Sequence, residues 1–154
     1  MTSDENVDLV YVASPMSEHY EKLKMLIAHG GNVLCEKSFA VNQKQAGEMI
    51  RLAQEKGVLL AEAMWVRYRR MWNTIRQVLA QGAIGAPMTL TANLCYLIGD
   101  VPRILKPKLG GGALLDVGVY ALNFASMVFG NQIEKMVSIA IMTDTGVDAQ
   151  NSIT

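Results

Sequence analysis

Residues 7–13 are apolar and mostly β-branched apart from Asp8, the pattern of a strand covered on both faces of a parallel sheet. Ser14-Pro15 stops the run, because proline disfavours helix at the residue before it and has no N–H for a ladder. Ser17 then offers an N-cap to a helix whose buried face holds Tyr20, Leu23, Leu26 and Ile27, and Gly30-Gly31 ends it. Val33-Leu34-Cys35 is a second apolar strand, halted abruptly by Glu36, Lys37 and Ser38. Asn42 opens the next helix with Gln45 as its capping-box partner; Ala46, Met49, Ile50 and Ala53 form the buried stripe and Gly57 closes it. Residues 58–61 make a third apolar strand. Strands and helices alternating this tightly mean right-handed parallel βαβ units.

Past Glu62 the pattern changes. Trp72, Ile75, Val78 and Leu79 share one side of a helix closed by Gly82. Residues 87–97 alternate, with Thr89, Thr91, Asn93 and Cys95 between Met88, Leu90, Ala92, Leu94 and Tyr96, which predicts a strand with one covered face. A loop rich in proline and lysine spans 99–109, and Gly110-Gly111-Gly112 releases a helix over 113–129. That helix is apolar nearly all round, so it is expected to be mostly buried. Residues 135–143 read as another strand. The second half is thus a separate α+β element, with a boundary near 62–70.

Composition narrows the class. The chain has 154 residues, 51% of them hydrophobic, enough for one domain-sized core, and its ten methionines read as core filler. Lys+Arg and Asp+Glu each total 14, so no net field points to nucleic acid or an anionic membrane. Cys35 and Cys95 are the only cysteines and form no CxxC, which suits a reducing compartment and argues against a structural metal site. With no run of about 18 uninterrupted apolar residues and a polar, acidic start, the expectation is a soluble, cytoplasmic chain that spans no membrane.

Two places carry candidate chemistry. Carboxyl ends of parallel strands are where α/β folds collect ligands. There, Lys37 is either a proton donor and cationic clamp or simply a solvated strand end. On the apolar helix, Asp116, Tyr120 and Asn123 are spaced i, i+4, i+7 and share a face. Burying a carboxylate is costly unless it is paired, so Asp116 needs a cationic or hydrogen-bonding partner; it also lies in the first turn, where the helix dipole favours it. These residues are either a helix-start acid with a core tyrosine, or an acid/base stripe with Lys37 as partner. A tyrosine beside a lysine suits proton exchange with a substrate hydroxyl. The triple glycine fits no phosphate-loop pattern and is compatible with a flexible joint. His19 and His29, without an acid at ligand spacing, read as helix-surface residues, His19 being nearer the crevice. Arg67, Arg69 and Arg70 look like a solvated charge cluster, beside which Trp65 and Tyr68 could nevertheless line a pocket.

Several motifs in order carry a resemblance: Val10-Tyr11-Val12-Ala13-Ser14-Pro15 with His19, Cys35-Glu36-Lys37, Glu62-Ala63-Met64-Trp65-Val66-Arg67-Tyr68, Gly82-Ala83-Ile84-Gly85, and Gly110-Gly111-Gly112-Ala113-Leu114-Leu115-Asp116-Val117-Gly118-Val119-Tyr120. Together the chain resembles the Gfo/Idh/MocA (glucose–fructose oxidoreductase / inositol dehydrogenase) family, nearest its trans-1,2-dihydrobenzene-1,2-diol dehydrogenase and D-xylose dehydrogenase branch. The resemblance implies an α/β fold: the C-terminal part of a Rossmann parallel sheet followed by part of an α+β domain with an open, mainly antiparallel sheet. Residues 1–66 would be a partial NAD(P)-binding domain and 67–154 a partial substrate and dimerisation domain. The implied activity is NAD(P)-dependent hydride transfer at a CH–OH carbon of a sugar, polyol or cyclic diol, with a homodimer as the full-length assembly and no metal. Ala13, Ser14, Pro15 and His19 would lie along the cofactor, Glu36 and Lys37 at its nicotinamide end, and Trp65 and Arg67 beside the pocket. Lys37, Asp116 and Tyr120 would be catalytic. Ser38 stands where the family motif has proline. The family opens with a βαβ unit carrying a glycine-rich turn, and this chain is expected to begin after it. The alternative expectation is therefore a truncated, non-catalytic interaction remnant.

Overall fold

The computed structural model describes residues 4 and 6–154, which form two compact units. The first comprises the described residues up to Met64 together with Lys108–Gly110. Its centre is a parallel sheet in the order β1 (Val10–Val12), β2 (Val33–Cys35), β3 (Leu60–Glu62). Val12 pairs with Cys35 and Cys35 with Glu62, so all three carboxyl ends finish level. Helices α1 (His19–Ala28) and α2 (Gln43–Lys56) make the crossovers. Leu23, Leu26 and Ile27 of α1 and Met49 and Ala53 of α2 meet Val12, Val33 and Cys35 in one core. Full burial of each large aliphatic side chain stabilises by roughly 1.5–3 kcal/mol.

Caps explain the helix limits. Asn42 accepts the Gln45 N–H through its side chain at 2.9 Å, and Gly57 ends α2 at φ 65° in the left-handed region that disfavours side chains. Ser17 does not cap α1; it sits within a 3-10 turn, Met16–Glu18, closed by the Glu18 N–H donating to the Pro15 carbonyl. Proline's fixed φ starts that turn early. Ile50, expected in the buried stripe, is exposed, and the half-buried Leu52 packs against the core in its place.

The second unit comprises Trp65–Pro107 and Gly111–Thr154. It contains α3 (Arg70–Ala80), a π-helical turn at Leu114–Gly118, α4 (Val119–Phe129), and the antiparallel pair β4 (Ser138–Met142) and β5 (Asp148–Ile153). The strand expected over 87–97 is not formed. Leu90, Ala92 and Leu94 are half-buried and Thr91, Asn93 and Cys95 exposed, but Met88 and Tyr96, expected on the covered face, are exposed; the alternation survives only over 90–95, in a chain that pairs with no ladder among the described residues. Alternation specifies faces; a strand also needs a neighbour. The 113–129 helix is half-buried rather than mostly buried, and within it Asp116 is the buried residue. Met49 and Met64 are buried, but Met25, Met71, Met88, Met136 and Met142 are exposed, which corrects the filler reading.

Each glycine of the triplet is closely approached within its own unit. A side chain at Gly110 would press on Met16 and Val41, one at Gly111 on the Ile104 carbonyl, and one at Gly112 on the Asp148 carboxylate. By length and composition alone, Pro107–Phe129 is long and apolar enough to cross a membrane, although it contains no uninterrupted apolar run of that length. Its continuous helix runs over 113–129, a π turn followed directly by α4. That is about 25 Å, against the ~30 Å of a hydrocarbon core.

Candidate active site

In the first unit the chemistry gathers where β1 and β2 end. Ala13 and Pro15 are exposed there, and Glu36 and Lys37 half-buried. The Glu36 carboxylate accepts the Tyr11 hydroxyl and, at 3.1 Å, the Lys37 backbone N–H. That carboxylate pushes the Tyr11 phenol up from its ordinary value, keeping it a donor. Beyond Lys37, whose peptide bond to Ser38 is cis, the Phe39 N–H donates to Glu62 Oε1 at 2.9 Å. The turn bearing Lys37 is thus tied to both neighbouring strands.

His19 is the third tie, and it corrects the surface reading. It is 1% exposed, with Nδ1 2.9 Å from the Ser38 carbonyl and Nε2 2.9 Å from the Ser14 carbonyl. Carbonyls only accept, so a neutral ring serves one with its N–H and an imidazolium serves both. His29 is exposed and meets its own helix's Met25 carbonyl. Ser14 Oγ is buried and has no hydrogen-bond partner among the described residues. Cys35, next to Glu36, is no nucleophile: burial first, then the charges of Glu62 and Glu36, push its thiol up to about 12.

In the second unit the apolar helix presents its polar residues to defined partners. Trp65 Nε1 donates to Tyr120 Oη at 2.9 Å, and the two rings meet edge-on with centroids 6.0 Å apart. Arg67 donates from Nε to Asn123 Oδ1 at 3.0 Å and from Nη2 to Ser126 Oγ at 3.4 Å. Arg69 lies over the Trp65 ring, 5.1 Å from its centroid. The 3-10 turn Trp65–Tyr68 therefore grips α4, while Arg67, Arg69 and Arg70 are all exposed, as a solvated cluster would be. Asp116, expected to need a cation, has Arg103 Nη1 at 2.9 Å from Oδ1. Asp148 caps the helix start by accepting the Leu114 N–H at 2.5 Å.

Ser14, His19, Glu36 and Lys37 are thus brought together at one sheet edge, and Trp65, Arg67, Tyr120 and Asn123 along one helical face. Tyr11, Glu62, Arg103 and Asp148 were missed from sequence. Arg103 lies in an aperiodic loop 13 residues before its partner, where no spacing signals a pair. No group of three or more His, Cys, Asp or Glu among the described residues is arranged to hold a metal ion.

Residues 1–64 match the family profile described as an oxidoreductase family, NAD-binding Rossmann fold, and residues 72–154 match the GFO/IDH/MocA C-terminal domain. The trans-1,2-dihydrobenzene-1,2-diol dehydrogenase of Xenopus laevis is 38% identical over 154 residues, covering 99% of this chain and 47% of that protein. The D-xylose 1-dehydrogenase (NADP(+)) of Hypocrea jecorina is 39% identical over 134 residues, 80% of this chain and 34% of its own length. A crystal structure of a 3-ketoreductase from Actinomadura kijaniata in complex with NADP and TDP-benzene superposes with a TM-score of 0.78 at 25% identity, covering 97% of this chain and 47% of that one. The chain thus spans about half the length of the relatives it matches. With both profiles in sequence order on the two units, the chain belongs to the Gfo/Idh/MocA oxidoreductase family.

Proposed function

We propose that this chain carries the nicotinamide-end and catalytic residues of an NAD(P)-dependent oxidoreductase acting on a CH–OH carbon of a sugar, polyol or cyclic diol. Residues 1–66 form its partial NAD(P)-binding domain and 67–154 its partial substrate and dimerisation domain. The observation that carries the reading is the Lys37 turn, a lysine fixed by Glu36, Glu62 and His19 at the carboxyl edge of a parallel sheet. The cofactor's fit rests on Ser14, whose buried Oγ lacks a partner beside the exposed Ala13 and Pro15. An unpaired buried hydroxyl is costly, and a polar ligand laid along this edge satisfies it.

Ala13, Ser14, Pro15, His19, Glu36 and Lys37 would hold NAD(P), with Trp65 and Arg67 bordering the pocket. Bound there, the cofactor supplies the acceptor for the hydride leaving the alcohol carbon. Lys37 donates a hydrogen bond to the substrate oxygen, which stabilises the negative charge that oxygen gains as its proton leaves. Tyr120 first gives its own proton to solvent, and its oxygen then takes the substrate's O–H proton, while Asp116 orients the reacting oxygen. The compartment is cytoplasmic, in keeping with unpaired Cys35 and Cys95. Self-association draws support from β4, where Ile139, Ile141 and Met142 are all exposed, Ile139 at 72%.

The test is turnover of trans-1,2-dihydrobenzene-1,2-diol and of D-xylose with NAD+ or NADP+. Lys37→Ala is expected to lower turnover by about 10²–10⁴-fold with a smaller effect on cofactor affinity. Near-normal turnover in that variant refutes the role of Lys37. Self-association without cofactor binding favours the non-catalytic remnant instead.

A further inference from the structure

We propose that Trp65 is a positioning residue for Tyr120, its indole N–H fixing the phenol oxygen and stabilising the charge which that oxygen gains when it gives up a proton. The inference rests on the reading of Tyr120 as the proton-transfer group. An indole nitrogen donates and never accepts. At 2.9 Å from Trp65 Nε1, Tyr120 Oη is therefore the acceptor of this bond. A carbonyl or carboxylate partner would demand the phenol's hydrogen and would repel a developing negative charge. The indole bond holds with or without that hydrogen, and it strengthens as the oxygen becomes charged.

The surroundings of Trp65 serve the same end. The Arg69 guanidinium over the ring face, 5.1 Å from the centroid, draws electron density from the indole and makes its N–H a better donor. Arg67, two residues on, clasps Asn123 and Ser126, one and two turns along the helix from Tyr120. The turn bearing Trp65 is thereby held in register with the face bearing the phenol. Trp65 is 50% exposed, so burial of its ring does not account for the constellation.

Indole N–H resonances give a readout independent of turnover. The chain has two tryptophans, Trp65 and Trp72, and Trp65→Phe assigns them. In Tyr120→Phe the Trp65 indole proton is expected to move upfield and exchange faster while that of Trp72 stays in place. An unmoved Trp65 resonance overturns the proposal. In kinetics, Trp65→Phe keeps an aromatic edge but removes the N–H, and kcat is expected to fall about 10- to 100-fold with little change in KM. The same substitution made on Tyr120→Phe should cost nothing more. Full turnover in Trp65→Phe alongside a crippled Tyr120→Phe overturns the role of Trp65 alone. Full turnover in Tyr120→Phe instead removes the reading of Tyr120 on which that role rests.

Discussion

His19 shows how much one side chain can organise. Its ring spans the carbonyls of Ser14 and Ser38, 24 residues apart in sequence, and so ties the candidate cofactor edge to the turn bearing Lys37. Replacement by leucine leaves both carbonyls without it, and unfolding in urea should show a loss of about 2 kcal/mol; an unchanged midpoint would mean that the ring bears no load. Cys35 makes a second prediction at this scale. Burial keeps its thiol neutral up to about 12 in place of the ordinary 9.0, so at pH 8 a thiol reagent should modify the exposed Cys95 and spare Cys35 until the chain unfolds. The linked effect on stability has a definite sign. Between those two values the unfolded thiol binds fewer protons than the folded one, so Cys35's contribution is complete below pH 9.0 and is lost as pH rises toward 12. Equal labelling of both cysteines in the native chain contradicts the burial. The halt of an apolar run at Glu36 and Lys37 was legible in the residues themselves. The partners of His19 were not, because the Ser14 and Ser38 carbonyls become neighbours only once Val12 pairs with Cys35.

At the scale of elements, the helices that were read correctly, α1 and α2, combine a periodic apolar face with an explicit stop such as Gly57 at φ 65°. The stretch over 87–97 failed as a strand because its alternation encodes which side chains turn inward and says nothing of what the backbone pairs with. The apolar helix formed as expected and departed in its burial, which is partial along most of its length. Its first turn is a π turn, Leu114–Gly118, which sequence spacing alone does not signal. Asp116 there meets Arg103, and Tyr120 on α4 meets Trp65. The helix start depends on Gly112, whose φ is 117° and whose missing side chain leaves room for the Asp148 cap on the Leu114 N–H. Gly112→Ala strains the backbone and displaces that cap together. Chemical denaturation should show a loss of at least about 2 kcal/mol; a neutral result would show that Asp148 is dispensable for starting the helix.

At the scale of the molecule, the change of pattern near Glu62 was visible as strand–helix alternation giving way to longer, mixed elements, and the two compact units part between Met64 and Trp65. Zero formal net charge fits a small-molecule site better than a polyanion, since no long-range field is present to gather one. The central claim is that the carboxyl edge of β1 and β2 receives NAD(P). Titrating the 15N-labelled chain with NADH and with NADPH, and following the backbone amides, tests it directly. The account predicts saturable shifts at Ser14, Glu36, Lys37 and Ser38 with at least one of the two cofactors. Amides at that edge unmoved by millimolar concentrations of either cofactor would contradict it.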